Sequence, residues 1–382
     1  MSQTSLPPGM TYPPVEMLPP RRSPLLGCLL GGSLLLNLLL FGVTFFACLA
    51  AALAPMSDLS TGGMQEVHHS GNAVGKDKIA VITLEGVILE GLNEFFHKQV
   101  IQAGKDPAVK AVVLRINSPG GSITGSDDIH RRLMELKNGN AEKNLAGKPH
   151  LVVSMGSLAA SGGYYAAMPS SRIFAERTTM TGSIGVYASL PNIEGLAKTI
   201  GATMVTIKQG EIKDSGSAFK EMTAKEKLVW QDLVDQSYNL FLKVVEEGRP
   251  ELKGKLLDKI TLEALQAGPG EKVPNKTYQR YRADGGIFTA ENAKKFGLVD
   301  EIGALDDAIA FAKKSANLGD EARVVRYAKP KTLTDFLLEM RWGAKPPSVS
   351  MEEVSAALMP RLWFLAPGCE MAGVAGALQI RH

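Results

Sequence analysis

From Ile79 onward the apolar positions come in short, largely unbroken runs rather than in alternation. Ile79–Leu84, Ala111–Ile116 and Leu151–Ser154 have strand length, and Ile173–Ala175 and Met204–Ile207 are shorter examples. Runs of this kind predict strands covered on both faces, as in a sheet flanked by helices. Between them the pattern changes to helical spacing. Ser126 is the expected N-cap of one helix, with Asp127 and Asp128 in its first turn. Thr223 and Glu226 form a capping-box pattern that opens a helix to about Glu247, with Val229, Leu233, Val234, Leu240, Phe241, Val244 and Val245 on its buried face. A short helix over Thr289–Phe296 should stop at Gly297, and another should run to about Lys314. Strands alternating with helices predict an α/β fold.

Upstream the pattern is different. Residues 25–54 are almost continuously apolar, longer than the roughly 20 residues a helix needs to cross a bilayer. Arg21 and Arg22 precede the run, which places the N-terminus in the cytoplasm and the rest of the chain beyond the membrane. The run exceeds the apolar core of a cleaved signal, about 7–15 residues, so it reads as a retained single-pass anchor in the cell membrane. Residues 1–24 are a proline-rich, disordered cytoplasmic leader, 55–78 a polar linker, 79–318 the globular domain and 319–382 a C-terminal extension. Within the domain, Arg249–Lys276 reads as a polar excursion.

Composition narrows the function classes. A net charge of +3 over 382 residues gives no electrostatic case for a nucleic-acid partner. Three cysteines, Cys28, Cys48 and Cys369, make no disulfide framework and no zinc ligand set. The histidines show no metal-ligand spacing, so neither a metal nor another cofactor is called for.

The chemistry concentrates in Gly156–Tyr165, which reads GSLAASGGYY. Ser161 follows a buried strand at the point where a helix should begin, so the N–H groups beside it lack helical partners. Gly162 leaves that backbone open to a substrate, and its N–H is a natural half of an oxyanion hole. Taken alone, the same residues also suit a close helix–sheet contact. Asn117-Ser118-Pro119-Gly120-Gly121 is a second glycine-rich turn at a strand end, able to supply the other donor. A serine needs a base, and no histidine lies between His150 and His382. Lys213 is the best-placed alternative, with Ser183 as the group that would hydrogen-bond its neutral amine and aim it.

At these residues the chain resembles the signal peptide peptidase A family, in its short single-repeat form. The resemblance rests on Asn117–Gly121, Met155–Tyr165, Met180–Val186, Ile207–Asp214 and the closing Phe288–Asp300 segment, in order from about Ile79 to Ala310. It implies a Clp-protease/crotonase-like fold of stacked ββα units and a serine endopeptidase without cofactors. Ser161 matches the nucleophile, Lys213 the general base, Ser183 the orienting residue, and Gly162 with one of Gly120 or Gly121, preferably Gly121, the oxyanion donors. It further implies apolar signal-peptide segments as substrates and a homo-oligomeric ring facing the membrane, with serine and lysine supplied by neighbouring chains. An acyl-CoA enzyme or a non-catalytic membrane scaffold on the same fold are the alternatives.

Overall fold

The computed structural model describes residues 33, 36–44, 64–91, 93–264, 276–328 and 362–367. The chain divides into two compact units, residues 1–63 and residues 64–382. In the first, residues 36–44 form helix α1. The Thr44 hydroxyl donates to the Leu40 carbonyl (2.7 Å) and Asn37 Nδ2 to the Ser33 carbonyl (2.8 Å), so both polar side chains are satisfied within the helix. Among the described residues no helix is long and apolar enough to cross a membrane. Most of the expected 25–54 span, and all of the 1–24 leader, lie outside those residues.

The second unit begins with β1 (Gln65–Gly71), β2 (Lys78–Glu85), α2 (Glu94–Lys105), β3 (Val109–Ser118), β4 (Gly120–Ser122), α3 (Ile123–Asn138) and β5 (His150–Ala160). Next come α4 (Gly162–Ala167), β6 (Arg172–Ala175), β7 (Met180–Gly182), β8 (Tyr187–Ala188), α5 (Glu194–Thr199) and α6 (Ala224–Gly248). The chain continues through β9 (Lys259–Ala264), β10 (Lys276–Tyr281), β11 (Ile287–Thr289) and α7 (Ala290–Lys295). The last elements are β12 (Glu301–Ile302), α8 (Leu305–Ser315), β13 (Arg323–Ala328) and β14 (Leu362–Leu365).

The main sheet runs β1-β13-β2-β3-β5-β6-β12, parallel along this path except for β1, which pairs β13 antiparallel; β7 branches from β5 in parallel and pairs β11 antiparallel. Because successive side chains of a strand point to opposite faces, the apolar runs divide cleanly. Ala80, Ile82 and Leu84 join Phe96, Val100, Ile129 and Leu133 of α2 and α3 on one face. Ile79 and Val81 join Ala308, Ile309 and Ala312 of α8 on the other. The fold is thus a mixed α/β layered structure, as the pattern predicted.

Several elements differ from expectation. β5 is much longer than Leu151–Ser154, because it bends past β6 and goes on to pair β7. The Asn117 side-chain oxygen bridges the accompanying register shift against β3, accepting from Ser157 Oγ (2.8 Å) and Leu158 N (3.3 Å). Helix α3 is capped by Ser122, whose Oγ accepts from Gly125 N (3.2 Å), not by Ser126. Strand β4 turns directly into that helix, so Ser126 falls a turn inside and bonds the Ser122 carbonyl instead (2.8 Å). Residues 65–71, read as linker, are an edge strand. Met204–Ile207 forms no strand and lies exposed, Ile207 almost completely. Helix α6 carries the expected Thr223–Glu226 capping box, but only the Phe241–Val245 end of its apolar stripe is buried, leaving Val229, Leu233 and Leu240 exposed. The Arg249–Lys276 excursion contains β9, which pairs β10 as a hairpin arm; residues 265–275 are outside the described set.

Candidate active site

Ser161 sits between β5 and α4 with φ 53° and ψ −116°. A non-glycine residue held in so unfavourable a backbone state costs of order 1–3 kcal/mol and must be pinned by its surroundings. The pins are backbone bonds: Ser161 N donates to the Gly182 carbonyl (2.8 Å), and Tyr165 N donates to the Ser161 carbonyl (2.8 Å). Together they fix a sharp strand–turn–helix bend at the end of β5, with Ser161 at its apex. Ser161 is fully buried, and its Oγ has no hydrogen-bond partner among the described residues. A buried hydroxyl left unpaired costs about 1–3 kcal/mol, so this residue carries strain of two kinds.

The glycines around it fit for identifiable reasons. A Cβ on Gly163 would come within 2.9 Å of the Ser118 carbonyl, so glycine lets α4 close against the end of β3. The N–H of Gly162, in the first turn of α4, has no intrahelical acceptor. In β4 the Gly120 carbonyl accepts from Ile88 N, and Ser122 N donates to the Ile88 carbonyl, both at 2.8 Å. Neighbouring residues of a strand direct their backbone groups to opposite edges, so the N–H and carbonyl of Gly121 face away from Ile88. Gly120 N–H is already engaged by Ser118 Oγ (3.1 Å), while Gly121 N–H points to the edge of β4 that pairs with Phe364. Glycine is required there too: a Cβ would overlap the Ile88 carbonyl oxygen at 1.8 Å.

Ser183 is a second serine at φ 53°, and it is buried. Its N–H donates to the Gly286 carbonyl (3.0 Å) and its Oγ donates to the Gly285 carbonyl (2.9 Å). Ser183 thus touches the 284–287 turn and not Lys213. Lys213 itself is exposed, in a turn closed by its N–H to the Gly210 carbonyl (3.3 Å), and its amine makes no hydrogen bond or ion pair among the described residues. Within one chain, then, the structure gathers Ser161, Gly121, Gly162 and Ser183 around one sheet end and leaves Lys213 unattached to them.

Sequence reasoning missed the brace behind Ser183. Arg280 grips Asp284 through Nε (2.9 Å) and Nη2 (2.6 Å), and its Nη1 donates to the Ile287 carbonyl (2.8 Å). The guanidinium also lies 3.9 Å from the centre of the Phe288 ring. Asp284 Oδ1 accepts from Gly286 N (3.0 Å), which fixes the turn whose carbonyls hold Ser183. Burial works to raise the Asp284 carboxyl, but the Arg280 hydrogen bond and charge, together with the backbone N–H groups of Gly286 and Tyr281, hold the group below its ordinary value. That Arg280 braces the Asp284-Gly285-Gly286 turn depends on the β9–β10 arm folding back, which no local pattern announces. A cavity of about 640 Å³ opens beside Ser183, lined among others by Tyr187, Val234, Tyr238, Gly285, Leu365 and Pro367. The last two belong to a segment that enters the site from far along the chain: β14 pairs β4 on one side and β8 on the other, antiparallel to both.

Comparison with known proteins adds a family to this geometry. The family model for peptidase family S49 matches residues 142–266, which include Ser161, Ser183 and Lys213. A protein of Enterococcus faecium described as "Putative signal peptide peptidase SppA" is 31% identical over 296 residues, covering 72% of this chain and 77% of that protein. The chain belongs to peptidase family S49. A "Putative protease" of Synechocystis is 32% identical over 259 residues, covering 68% of this chain and 82% of its own length. Another "Putative protease", from Methanocaldococcus jannaschii, is 36% identical over 223 residues and covers 58% of this chain. This S49 chain spans 61% of the Methanocaldococcus protein and 41% of the Protease 4 of Salmonella typhi, so it matches only part of the longer relatives.

Proposed function

We propose that this chain is a membrane-anchored serine endopeptidase acting on extended apolar peptides such as remnant signal peptides. The observation that carries the reading is the pinned φ 53° bend at Ser161, set beside two glycine N–H groups with no acceptor on their own element. Ser161 Oγ attacks the peptide carbonyl, and the N–H groups of Gly162 and Gly121 receive the oxyanion. The general base is Lys213 of a neighbouring protomer in a homo-oligomeric ring. Its amine enters beside Ser183, whose Oγ gives its proton to Gly285 and keeps its lone pairs for the incoming N–H. What supports a neighbouring chain is the uncovered apolar surface around Lys213: Met204, Val205 and Ile207 at 57, 81 and 98% exposure, with the open stripe of α6. Such a surface on a single chain calls for a partner.

In this reading the layered sheet with its repeated strand–strand–helix steps is the Clp-protease/crotonase-like fold, residues 25–54 span the cell membrane, and the catalytic unit lies outside the cytoplasm. The test compares wild type, Ser161→Ala and Lys213→Ala on a fluorogenic apolar peptide, with oligomer size measured for each. Activity lost in both variants with assembly intact supports the Ser–Lys peptidase. Activity surviving in Ser161→Ala overturns it in favour of an acyl-CoA enzyme, and inactivity of the wild type with no labelling by a fluorophosphonate points to a scaffold.

A further inference from the structure

Strand β14 is placed where a substrate would be. It pairs Trp363 with Ser122, Phe364 with Gly121 and Leu365 with Gly120 on one side, and Leu362 with Ala188 and Trp363 with Tyr187 on the other. Ala366 N adds a bond to the Pro119 carbonyl (2.8 Å). Strands β4 and β8, three and two residues long, are not paired with each other; β14 alone joins them into a sheet. In an antiparallel ladder the bonded pairs alternate. Since Ala366 bonds Pro119, the pair in the same phase two residues away is Phe364 and Gly121. The outward edge of Gly121, the side turned away from Ile88, is therefore the edge that Phe364 occupies.

We infer that the segment Leu362–Pro367 is a built-in occupant of the peptide cleft, a strand that must leave before substrate can enter. The inference rests on the peptidase reading above and extends it in two directions. It gives the binding mode: an extended peptide adds as a middle strand, taking main-chain bonds from β4 and β8 at once. It also gives a regulatory state, because Gly121 N–H cannot serve an oxyanion while it lies in a ladder with Phe364. The occupant suits the cleft chemically: Leu362-Trp363-Phe364-Leu365-Ala366-Pro367 carries no charge and is apolar throughout. The cavity beside Ser183 continues directly from the end of this segment, with Leu365 and Pro367 in its wall.

The test keeps the full chain and removes single main-chain donors. Phe364→Pro deletes the N–H paired with Gly121, and Ala366→Pro deletes the N–H bound to Pro119. Three readouts are taken: the rate at which a fluorophosphonate labels Ser161, amide exchange of Gly120–Ser122 and Tyr187–Ala188, and binding of a fluorescent peptide of sequence LWFLAP. Each variant should label about fivefold faster than wild type, equivalent to about 1 kcal/mol at 1.4 kcal/mol per tenfold. Exchange at β4 and β8 should rise, and the added peptide should bind the variants, protect both strands again and slow the labelling. Faster exchange with unchanged or slower labelling would make β14 a structural strand and overturn the inference. Absence of peptide binding to either variant would overturn it as well. The two readings fail separately: peptide binding and strand protection do not need a reactive Ser161, so their success without any labelling would retain the self-docked strand and reject the peptidase mechanism.

Discussion

Arg280 offers the sharpest test of how the site is held. Replacing it with alanine removes a two-pronged grip on Asp284, a bond to the Ile287 carbonyl and a stacking contact with Phe288. Arg280 and Asp284 side chains are 14% and 27% exposed, so water replaces these contacts only in part. Hydrogen bonds to charged groups contribute about 1.5–3 kcal/mol, and a half-buried cation–π contact about 1 kcal/mol. Allowing for the exposure, Arg280→Ala should cost about 2–4 kcal/mol in urea unfolding. Activity should fall further than stability suggests, because Asp284 would no longer fix the turn that positions Ser183. A displacement of about 1 Å there lowers kcat by roughly ten- to a hundredfold, with KM little changed since the β4 edge is untouched. Arg280→Lys keeps the charge without the planar fork and should recover stability more than kcat. The assay is steady-state kinetics across pH alongside unfolding curves for the three proteins. A kcat within twofold of wild type in Arg280→Ala, despite the loss of stability, would refute the brace.

Three further outcomes are expected. Mixing separately inactive Ser161→Ala and Lys213→Ala proteins under subunit exchange should restore peptidase activity, whereas a dyad formed within one chain would leave the mixture dead. Arg249→Met should destabilise the fold by about 3–5 kcal/mol by equilibrium unfolding, since it strands the Asp300 carboxylate that Arg249 holds at 2.7 and 3.0 Å. Burial keeps the His130 imidazole, packed edge-on against Tyr165, below its ordinary value. As pH falls below about 6.5 the unfolded chain takes up a proton that the fold resists, so stability should decline there, and His130→Phe should flatten that slope in unfolding curves measured between about pH 7 and 5.

Much of the architecture was legible because it depends on local pattern. The apolar runs at Ile79, Ala111 and Leu151 became adjacent strands of one parallel sheet, and the Thr223–Glu226 box opened α6 as written. The turns at Ser161–Gly162 and Gly120–Gly121 lie at strand ends, as the sequence predicted, because strained bends and close approaches demand glycine or a small residue. What escaped the sequence is what tertiary contacts decide. Ser122 displaced Ser126 as the cap because a three-residue strand feeds the helix directly. Met204–Ile207 has strand composition but pairs with no strand among the described residues, so its apolar character remains on the surface. The pairing of Phe364 with Gly121 joins residues 243 positions apart, and nothing local announces it.

The pairing of β13 with β2 has a bearing on how the chain is made. Lys78 is the partner of Arg323, so one edge of β2 stays open while about 245 further residues are synthesised. At about 5–20 residues per second that interval is roughly 12–50 s. Strand β3 emerges early and can zip against the other edge of β2, with β5 adding to β3, while the β13 side offers a bare row of N–H and carbonyl groups to any neighbouring nascent chain. A chain terminated before Arg323 would keep that edge permanently, with β1 left unpaired as well. Completion of the last sheet strand is therefore the event that turns a sticky intermediate into a closed unit, and the ribosome's pace sets how long the nascent sheet needs protection.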